Sequence, residues 1–431
     1  MTLQIVGSII SMLIVMYLCF RGVSPLLAAP VAVIGISLSC GLNLTESLFT
    51  TFAAGIGSQI TSLILYFVVS CMFAELMQRT GSADSIANFL AKHIGAKHAP
   101  VCIILICGIL SMGGLGLGAM IIAFSIGQTL CKRANYSRNI IYGCIYAGTM
   151  FCCLPFIASA NNMVGVTYFG GTPSSGWALG LINGIFLFVC SAVILELWVR
   201  RWQKNGEGYE EVEGVGVTIR EEKDCPNIIV AILPICVSVI LYSAVGWHIA
   251  VCVFIGSLLC IAMSVKQFKA KEWYDISLKG LVNGVVPTMN FAFMGAIGTV
   301  ISATPMYNAL IEYLGQSSMN PYMLTAISTN VIAFFIGAVV PTYNVVGASM
   351  APVLTQLCMS QGLSIANLQR IFVLSPCIFD SLPSSGGINS LCAMFKVPMR
   401  KTYPPIFVVG VVLTAIAVFG VSVPLAGILP G

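Results

Sequence analysis

Residues 380–395 read DSLPSSGGINSLCAMF, a polar and glycine-containing stretch inside a strongly apolar chain. Of its 431 residues, 58% are hydrophobic and only 8% are charged, whereas soluble domains carry roughly 25% charged residues. Apolar runs of about 18 residues or more recur along the whole length, which is enough for a helix to cross a lipid bilayer. The composition therefore predicts an all-α polytopic membrane protein, and the polar stretch needs a reason to lie within it.

Other function classes lack support in the sequence. The net charge of +5 is modest and basic residues do not alternate with aromatics, so nucleic acid is not an expected partner. The 17 cysteines are scattered through apolar segments, and we interpret them as small buried side chains. His93, His98 and His248 fall at expected helix ends, and no HExxH, Walker or Gly-x-Ser-x-Gly motif occurs. We therefore expect no metal, no cofactor and no enzymatic activity.

The chain divides into two similar parts, 1–199 and 227–431, on either side of a polar linker at 200–226. Matching landmarks follow in the same order in both parts, which is typical of an internal repeat rather than of chance similarity. In the first part they are apolar helices at 2–20, 24–42 and 58–77, an amphipathic piece at 86–95, an apolar stretch interrupted at 113–118, a Leu-Pro break at 154–162 and a helix at 176–199. In the second they are helices at 227–245, 247–264 and 282–302, an amphipathic piece at 306–315, an interruption at 340–347, a break at 382–390 and a helix at 403–425.

The two parts are expected to face opposite ways in the membrane. If each interrupted stretch is a re-entrant hairpin, each part crosses the membrane five times, and an odd number of crossings forces an inverted repeat. This topology puts every basic residue except Arg370, out of 20, on one side. The positive-inside rule makes that side cytoplasmic and leaves both termini outside. We expect a multi-pass protein of a bacterial cytoplasmic membrane, with a first helix that is not cleaved.

Unwound chain near the membrane midplane is the predicted substrate site. Prolines and paired glycines disfavour a helix, and non-helical chain persists in hydrocarbon only where protein or water surrounds it. Half-helix N-termini carry partial positive charge and free N–H groups, which suit a carboxylate. The alternative is that these small and polar groups only hold helices together. The predicted substrate-binding residues are Gly113, Gly114, Gly116, Ser159, Asn161, Asn162, Thr342, Tyr343, Asn344, Ser384, Ser385, Gly386 and Asn389.

Two charged residues lie near the second break. Asp380 directly precedes it and is the predicted proton-coupling residue, because ionisable groups within the membrane are costly and usually functional. The alternative is that its carboxylate caps the broken helix. Arg370 either attracts substrate from outside or lies in water, and we expect the latter.

The sequence around the second break resembles a known family. DSLPSSGGINSLCAMFKVPMRKTYPPIF (380–407) is similar to the C-terminal signature of the gluconate permease family, bacterial proton symporters for gluconate and related hydroxy-acids. The segment LMQRTGSADSIANFLAKHIGAKHA (76–99) is similar to another family segment. The residues on the signature are Asp380, Leu382, Pro383, Gly386, Arg400 and Tyr403. The resemblance implies membership of the ion transporter superfamily, with inverted repeats, re-entrant hairpins and an elevator-type motion in a homodimer.

The departures from the signature affect the substrate. Ser384 stands where the family has histidine after Leu-Pro, and the first break, LPFIASANN, lacks the family's histidines. Fewer imidazole donors favour a smaller hydroxy- or keto-acid, such as 3-hydroxybutyrate or lactate, beside gluconate itself. The sequence predicts a proton-coupled symporter of a small organic anion. A sodium-coupled carboxylate carrier and a passive anion channel are the alternatives.

Overall fold

The computed structural model describes residues 2–112, 116–157, 159–211, 224–243, 245, 247–315, 319–337 and 339–431. Within these ranges the secondary structure consists of helices and turns, without a β-strand. Long apolar helices of this kind satisfy every backbone hydrogen bond within one segment, which is what a bilayer demands. The all-α prediction is confirmed.

The helices up to the linker follow the predicted order. A π-helical stretch, Ser47–Phe52, joins α3 to α4, and 3₁₀ turns at Arg138–Ile140 and Met150–Cys153 lie on either side of α8. The helices are α1 (Thr2–Phe20), α2 (Pro25–Cys40), α3 (Leu44–Glu46), α4 (Ala53–Arg79), α5 (Ser82–Leu90), α6 (Ala99–Met112), α7 (Gly116–Ala134), α8 (Ile141–Thr149), α9 (Ala160–Phe169) and α10 (Trp177–Lys204).

The helices after the linker follow the order predicted for the second part. The last span combines α21 and α22 with two π-helical stretches, Phe407–Leu413 and Ile416–Ser422. The helices are α11 (Ile228–Ser243), α12 (Ile249–Met263), α13 (Ala270–Asn283), α14 (Val285–Ser302), α15 (Pro305–Gly315), α16 (Pro321–Ile336), α17 (Val339–Ser360), α18 (Ile365–Leu374), α19 (Cys377–Asp380), α20 (Gly386–Met394), α21 (Met399–Ile406) and α22 (Val423–Ala426).

Three of the predicted boundaries are wrong. The third span of each part is longer than expected: α3 and α4 together run from Leu44 to Arg79 with a bend of 45°, and the counterpart is Ala270–Ser302. The second interruption lies earlier than 340–347, since α16 ends at Ile336 with the C-cap Gly337, which has a left-handed φ of 68°, and α17 begins at Val339. Pro341 is tolerated there because it falls in the first turn of α17, where backbone N–H groups have no helical partner.

Many of the helices are long and apolar enough to cross a membrane. By length and composition, the described residues contain five such helices, or six when Leu44–Thr61 and Leu63–Arg79, which meet at a bend of 45°, count as one span. Shorter apolar helices accompany them: Pro25–Cys40, Ile228–Tyr242, Ile249–Met263, Pro321–Ile336 and Val345–Ser360. The protein is therefore a multi-pass membrane protein, as the composition predicts.

The two parts meet along α4, α13 and α14. Gly280 and Gly284 lie four residues apart on this span, and a Cβ on either would approach the Cα of Met72 or Val68 to 2.5 Å. This Gly-x-x-x-Gly spacing lets helix backbones pack closely, a common way to join membrane helices. The relation is reciprocal, because α2 packs against α14 while α12 packs against α4.

The first residues after α10 pack against the C-terminal end of α7. The backbone N–H of Tyr209 donates to Asn135 Oδ1 at 3.1 Å, and Lys132 pairs with Glu211. Burial raises the pKa of Tyr209 to about 12. The beginning of the linker is thus held on the C-terminal end of α7, and residues 212–223 lie outside the described part of the chain.

Candidate functional site

The first break separates α8 from α9 and is held by side chains of its own chain segment. Ser159 is the N-cap of α9: its Oγ accepts from Asn162 N at 3.2 Å and donates to Cys152 O. Asn162 Nδ2 donates to Leu154 O and Ile157 O, each at 2.8 Å. Carbonyls released by the break therefore regain partners, which removes a cost of about 1–3 kcal/mol for each buried group.

The second break separates α19 from α20 and uses the same device. Asn389 Nδ2 donates to Pro383 O at 2.6 Å and to Ser385 O at 2.9 Å. A Cβ on Gly386 would lie 2.9 Å from the Cα of Phe291, so only glycine allows α20 to pack this closely on α14. This close approach is the physical reason for the glycine at the start of the second half-helix.

Asn162 and Asn389 have the same role in the two breaks, although they lie seven and six residues after the proline of their break. Asn161 and Asn389 each lie six residues after a proline, but the break carbonyls of the first part are bound by Asn162. Asn161 is half-buried, and its Nδ2 instead lies 3.2 Å from Cys152 Sγ and 3.7 Å from Cys153 Sγ. Holding the break is therefore what Ser159, Asn162 and Asn389 do in this structure, as the alternative interpretation of these polar groups proposed.

Asp380 occupies a different environment from these capped groups. It ends α19, keeps partial exposure and lies near Tyr146 and Cys152. In the part of the chain that the structure describes, its carboxylate has no hydrogen bond and no ion pair. A carboxylate cap on the broken helix is therefore not what the geometry shows. A carboxylate without a protein partner at this position can accept a proton or bind a cation.

The two serines of the second break differ, because Ser384 is unpaired whereas the side chain of Ser385 contacts Tyr146. Ser384 is 1% exposed and its Oγ has no hydrogen-bond partner. Ser385 is the N-cap of α20, but its side chain makes no capping bond. Buried polar groups are nearly always paired in native structures, so an unpaired hydroxyl beside an uncapped half-helix suggests a missing partner.

The residues at the predicted hairpin tips contribute less than expected. Gly113 and Gly114 lie outside the described residues, and Gly116 is the first residue of α7. Thr342 and Tyr343 are fully buried within α17, where the Tyr343 hydroxyl donates to Val373 O. Asn344 also belongs to α17, and its side chain lies outside the described part. The Tyr343 hydroxyl is thus committed to the backbone rather than open to a substrate.

Arg370 is the site residue that the sequence did not reveal. The expectation that it lies in water is wrong, since it is 3% exposed. Its Nη1 donates to Asn162 Oδ1 at 2.9 Å and to Cys153 O at 3.4 Å, while Nε and Nη2 donate to Ser175 O and Pro173 O. A residue of α18 therefore binds the first break and the loop that follows α9. The sequence did contain one signal, because Arg370 is the one basic residue outside the set that is predicted to be cytoplasmic.

Arg138 forms a corresponding contact with the second part of the chain. It is 3% exposed, begins the 3₁₀ turn before α8, and donates from Nη2 to Phe395 O at the C-terminus of α20. A cation at a helix C-terminus is favoured by the helix dipole. Each part of the chain thus supplies one buried arginine to the carbonyls that follow the half-helix of the other part.

Comparison with known proteins gives the class of the chain. Residues 1–369 match the model of the GntP family permeases, so the matched region ends before the second break. An uncharacterized transporter of Bacillus subtilis, YxjC, is 20% identical over 97% of this chain and 98% of its own length. An uncharacterized transporter of Haemophilus influenzae is 19% identical over 97% of this chain and 99% of its own, and an uncharacterized permease of that organism is 19% identical over 82% and 79%.

Proposed function

The chain belongs to the GntP permease family and is a membrane transporter rather than an enzyme, and from this we propose that it is a proton-coupled symporter of a small organic monoanion. The observation that carries the proposal is Asp380, a carboxylate without a protein partner at the end of a broken helix. The relatives are named as transporters and a permease, and those names specify no substrate.

Proton coupling follows from the cost of a buried charge. An ionised carboxylate within the membrane is expensive unless a positive charge or several donors compensate it, and a proton removes that cost. A monocarboxylate that moves together with one proton transfers no net charge. We therefore expect transport to respond to pH rather than to membrane voltage.

The substrate is proposed to bind at the second break. The N-terminus of α20 lacks a side-chain cap, and helix N-termini favour carboxylates. Ser384 supplies an unpaired hydroxyl for a hydroxyl or keto group of the substrate. Asn161 supplies a half-buried amide from the first break. Ser385, Gly386 and the tip residues Gly113, Gly114 and Gly116 complete the proposed site, while Ser159, Asn162, Thr342, Tyr343, Asn344 and Asn389 are proposed to support it.

The expected substrate is gluconate, 3-hydroxybutyrate, lactate or a related acid. A serine in place of the family's histidine leaves a site with fewer donors, which favours the smaller acids. Each of them carries one carboxylate for the helix N-terminus and a hydroxyl for Ser384.

The proposed topology has two inverted repeats, 1–199 and 227–431, joined by the cytoplasmic linker at 200–226. The matching helix order and the reciprocal contacts of Arg138 and Arg370 support it. In this topology both termini lie outside a bacterial cytoplasmic membrane. An elevator-type motion within a homodimer is proposed from the family resemblance.

A sodium-coupled carrier is the second candidate. The carboxylate that accepts a proton is also a suitable ligand for Na⁺, and unwound backbone in transporters supplies carbonyl ligands. A passive anion channel is the third, and counterflow separates it from both carriers, because only a carrier exchanges labelled substrate against its gradient.

Proteoliposomes containing the purified protein test the proposal. Labelled gluconate, 3-hydroxybutyrate and lactate are offered first with an inward pH gradient and then with a sodium gradient. We expect accumulation of at least one acid with the pH gradient alone. Accumulation with the sodium gradient alone establishes the second candidate instead, and uptake without accumulation or counterflow establishes the channel.

A further inference from the structure

Three thiols lie together between the two breaks. Cys153 Sγ is 3.8 Å from Cys152 Sγ and 4.0 Å from Cys377 Sγ. Cys153 ends the 3₁₀ turn before the first break, and Cys377 begins α19, the short helix before the second break. The sulfur–sulfur contact between them joins two segments that are 224 residues apart.

The surroundings of this pair favour a bond between them. Both Cys153 Sγ and Cys377 Sγ donate to Val373 O, each at 3.9 Å, so the two sulfurs already point to one spot. A disulfide needs the sulfurs to approach to about 2.05 Å, and the ends of short helical turns allow such a local shift. The vicinal partner Cys152 is less suitable, because adjacent cysteines close a strained ring.

We propose that Cys153 and Cys377 form a reversible disulfide that ties the first break to the second and stops transport. The inhibitory part rests on the function proposed above, whereas the bond itself does not. Cys377 precedes Asp380 by three residues, and Cys153 contacts Asn161, so the bond constrains both the proposed coupling residue and a proposed substrate group.

The chemistry requires a membrane-permeant two-electron oxidant, such as a quinone or a diazene. With the diazene diamide, one thiolate adds to the N=N bond, and the second thiolate then attacks that sulfur and releases the hydrazine. The two thiols lose two protons and two electrons, one S–S bond forms, and the hydrazine carries the hydrogens away. Dithiothreitol reverses the step by thiol–disulfide exchange.

Reconstituted full-length protein, treated with diamide and then mapped by peptide mass spectrometry, tests the bond directly. We expect a Cys153–Cys377 linkage in the wild type and in two controls, Cys152→Ser and Cys107→Ser. Cys107 is equally buried, on α6, and its sulfur contacts Ser111 instead of a second thiol. A linkage of Cys152 to Cys153 or to Cys377, or the absence of any linkage in the wild type, overturns the proposal.

Uptake of labelled gluconate, 3-hydroxybutyrate and lactate by the same liposomes tests the inhibition. We expect diamide to reduce uptake to the level of empty liposomes, dithiothreitol to restore it, and Cys153→Ala and Cys377→Ala to resist diamide. A linkage that forms while uptake continues overturns the inhibitory part. If the reduced wild type takes up none of the three acids, the proposed function fails, and the peptide map still decides whether the disulfide exists.

Discussion

The two breaks share one construction and differ in what they leave unpaired. In each, one asparagine binds two carbonyls released by the unwound chain: Asn162 in the first and Asn389 in the second. The first break also receives a serine cap and the guanidinium of Arg370. The second has neither, and instead contains the unpaired Asp380 carboxylate at its edge.

This difference suggests that the two breaks have different functions. A fully satisfied polar network is rigid, whereas an unsatisfied one in a low-dielectric site is ready to bind a partner. The first break is therefore expected to act mainly on stability, and the second mainly on binding and coupling. Mutations at matching positions separate these two roles.

Removal of Arg370 has the largest expected effect on stability. Arg370→Met leaves Cys153 O, Pro173 O and Ser175 O without this donor, and hydrogen bonds from charged groups contribute about 1.5–3 kcal/mol each. We expect a loss of at least about 3 kcal/mol in the free energy of unfolding, seen as a lower melting temperature in detergent. Arg79→Met is the control, since that side chain is 54% exposed in a surface ion pair.

A melting temperature of Arg370→Met within the range of the Arg79→Met control contradicts this view of the first break. It would mean that the carbonyls find water or other donors, and that the guanidinium is not structural. Arg370→Lys sharpens the test, because one ammonium cannot reproduce the forked contacts of a guanidinium. We expect the lysine variant to remain markedly destabilised.

Replacement of the two asparagines compares the breaks directly. Asn162→Leu and Asn389→Leu each remove two donors to break carbonyls, at an expected cost of about 2 kcal/mol or more. Asn162 also accepts from Arg370, so its replacement should cost more. Melting temperatures of the two variants, measured side by side, show which one is less stable. A lower melting temperature for Asn389→Leu would contradict this expectation.

Truncation of the serines should have the smallest effect on stability and the clearest contrast in function. Ser159→Ala removes a helix cap and should cost about 1 kcal/mol. Ser384→Ala removes an unpaired buried hydroxyl, so stability should stay the same or rise slightly, while KM for uptake increases. Melting curves and uptake kinetics of both variants check this. If Ser159→Ala keeps its stability but has a raised KM, the first break binds substrate, and the assignment of roles to the two breaks is wrong.

Much of the fold was predictable because hydrophobic length and landmark order survive without three-dimensional information. The helix order of both parts and the break before Asn389 follow from runs of apolar residues interrupted by Leu-Pro. The placement of the second interruption was wrong because Pro341 and Asn344 suggested unwound chain. In the structure Gly337 makes the turn, and the proline lies in the first turn of the next helix, where its missing N–H is harmless.

The position of the site was predictable from the sequence, but the hydrogen-bond partners of its residues were not. Sequence places Asn161, Asn162 and Ser159 at the first break, yet which of them binds carbonyls depends on local geometry. The role of Arg370 depends on contacts with residues about 195 to 217 positions away along the chain. Such contacts carry no local pattern, so a lone arginine in an apolar helix could not be assigned a partner.

Proton-driven accumulation by an Asp380→Asn variant, compared with its counterflow, tests the coupling proposal most directly. Asparagine mimics the protonated carboxyl group, so the variant should lose accumulation under a pH gradient but retain exchange of labelled substrate. Asp275→Asn, which changes an exposed aspartate of α13, should retain both activities. Accumulation by Asp380→Asn that still follows the pH gradient would contradict the account and assign proton coupling to another group.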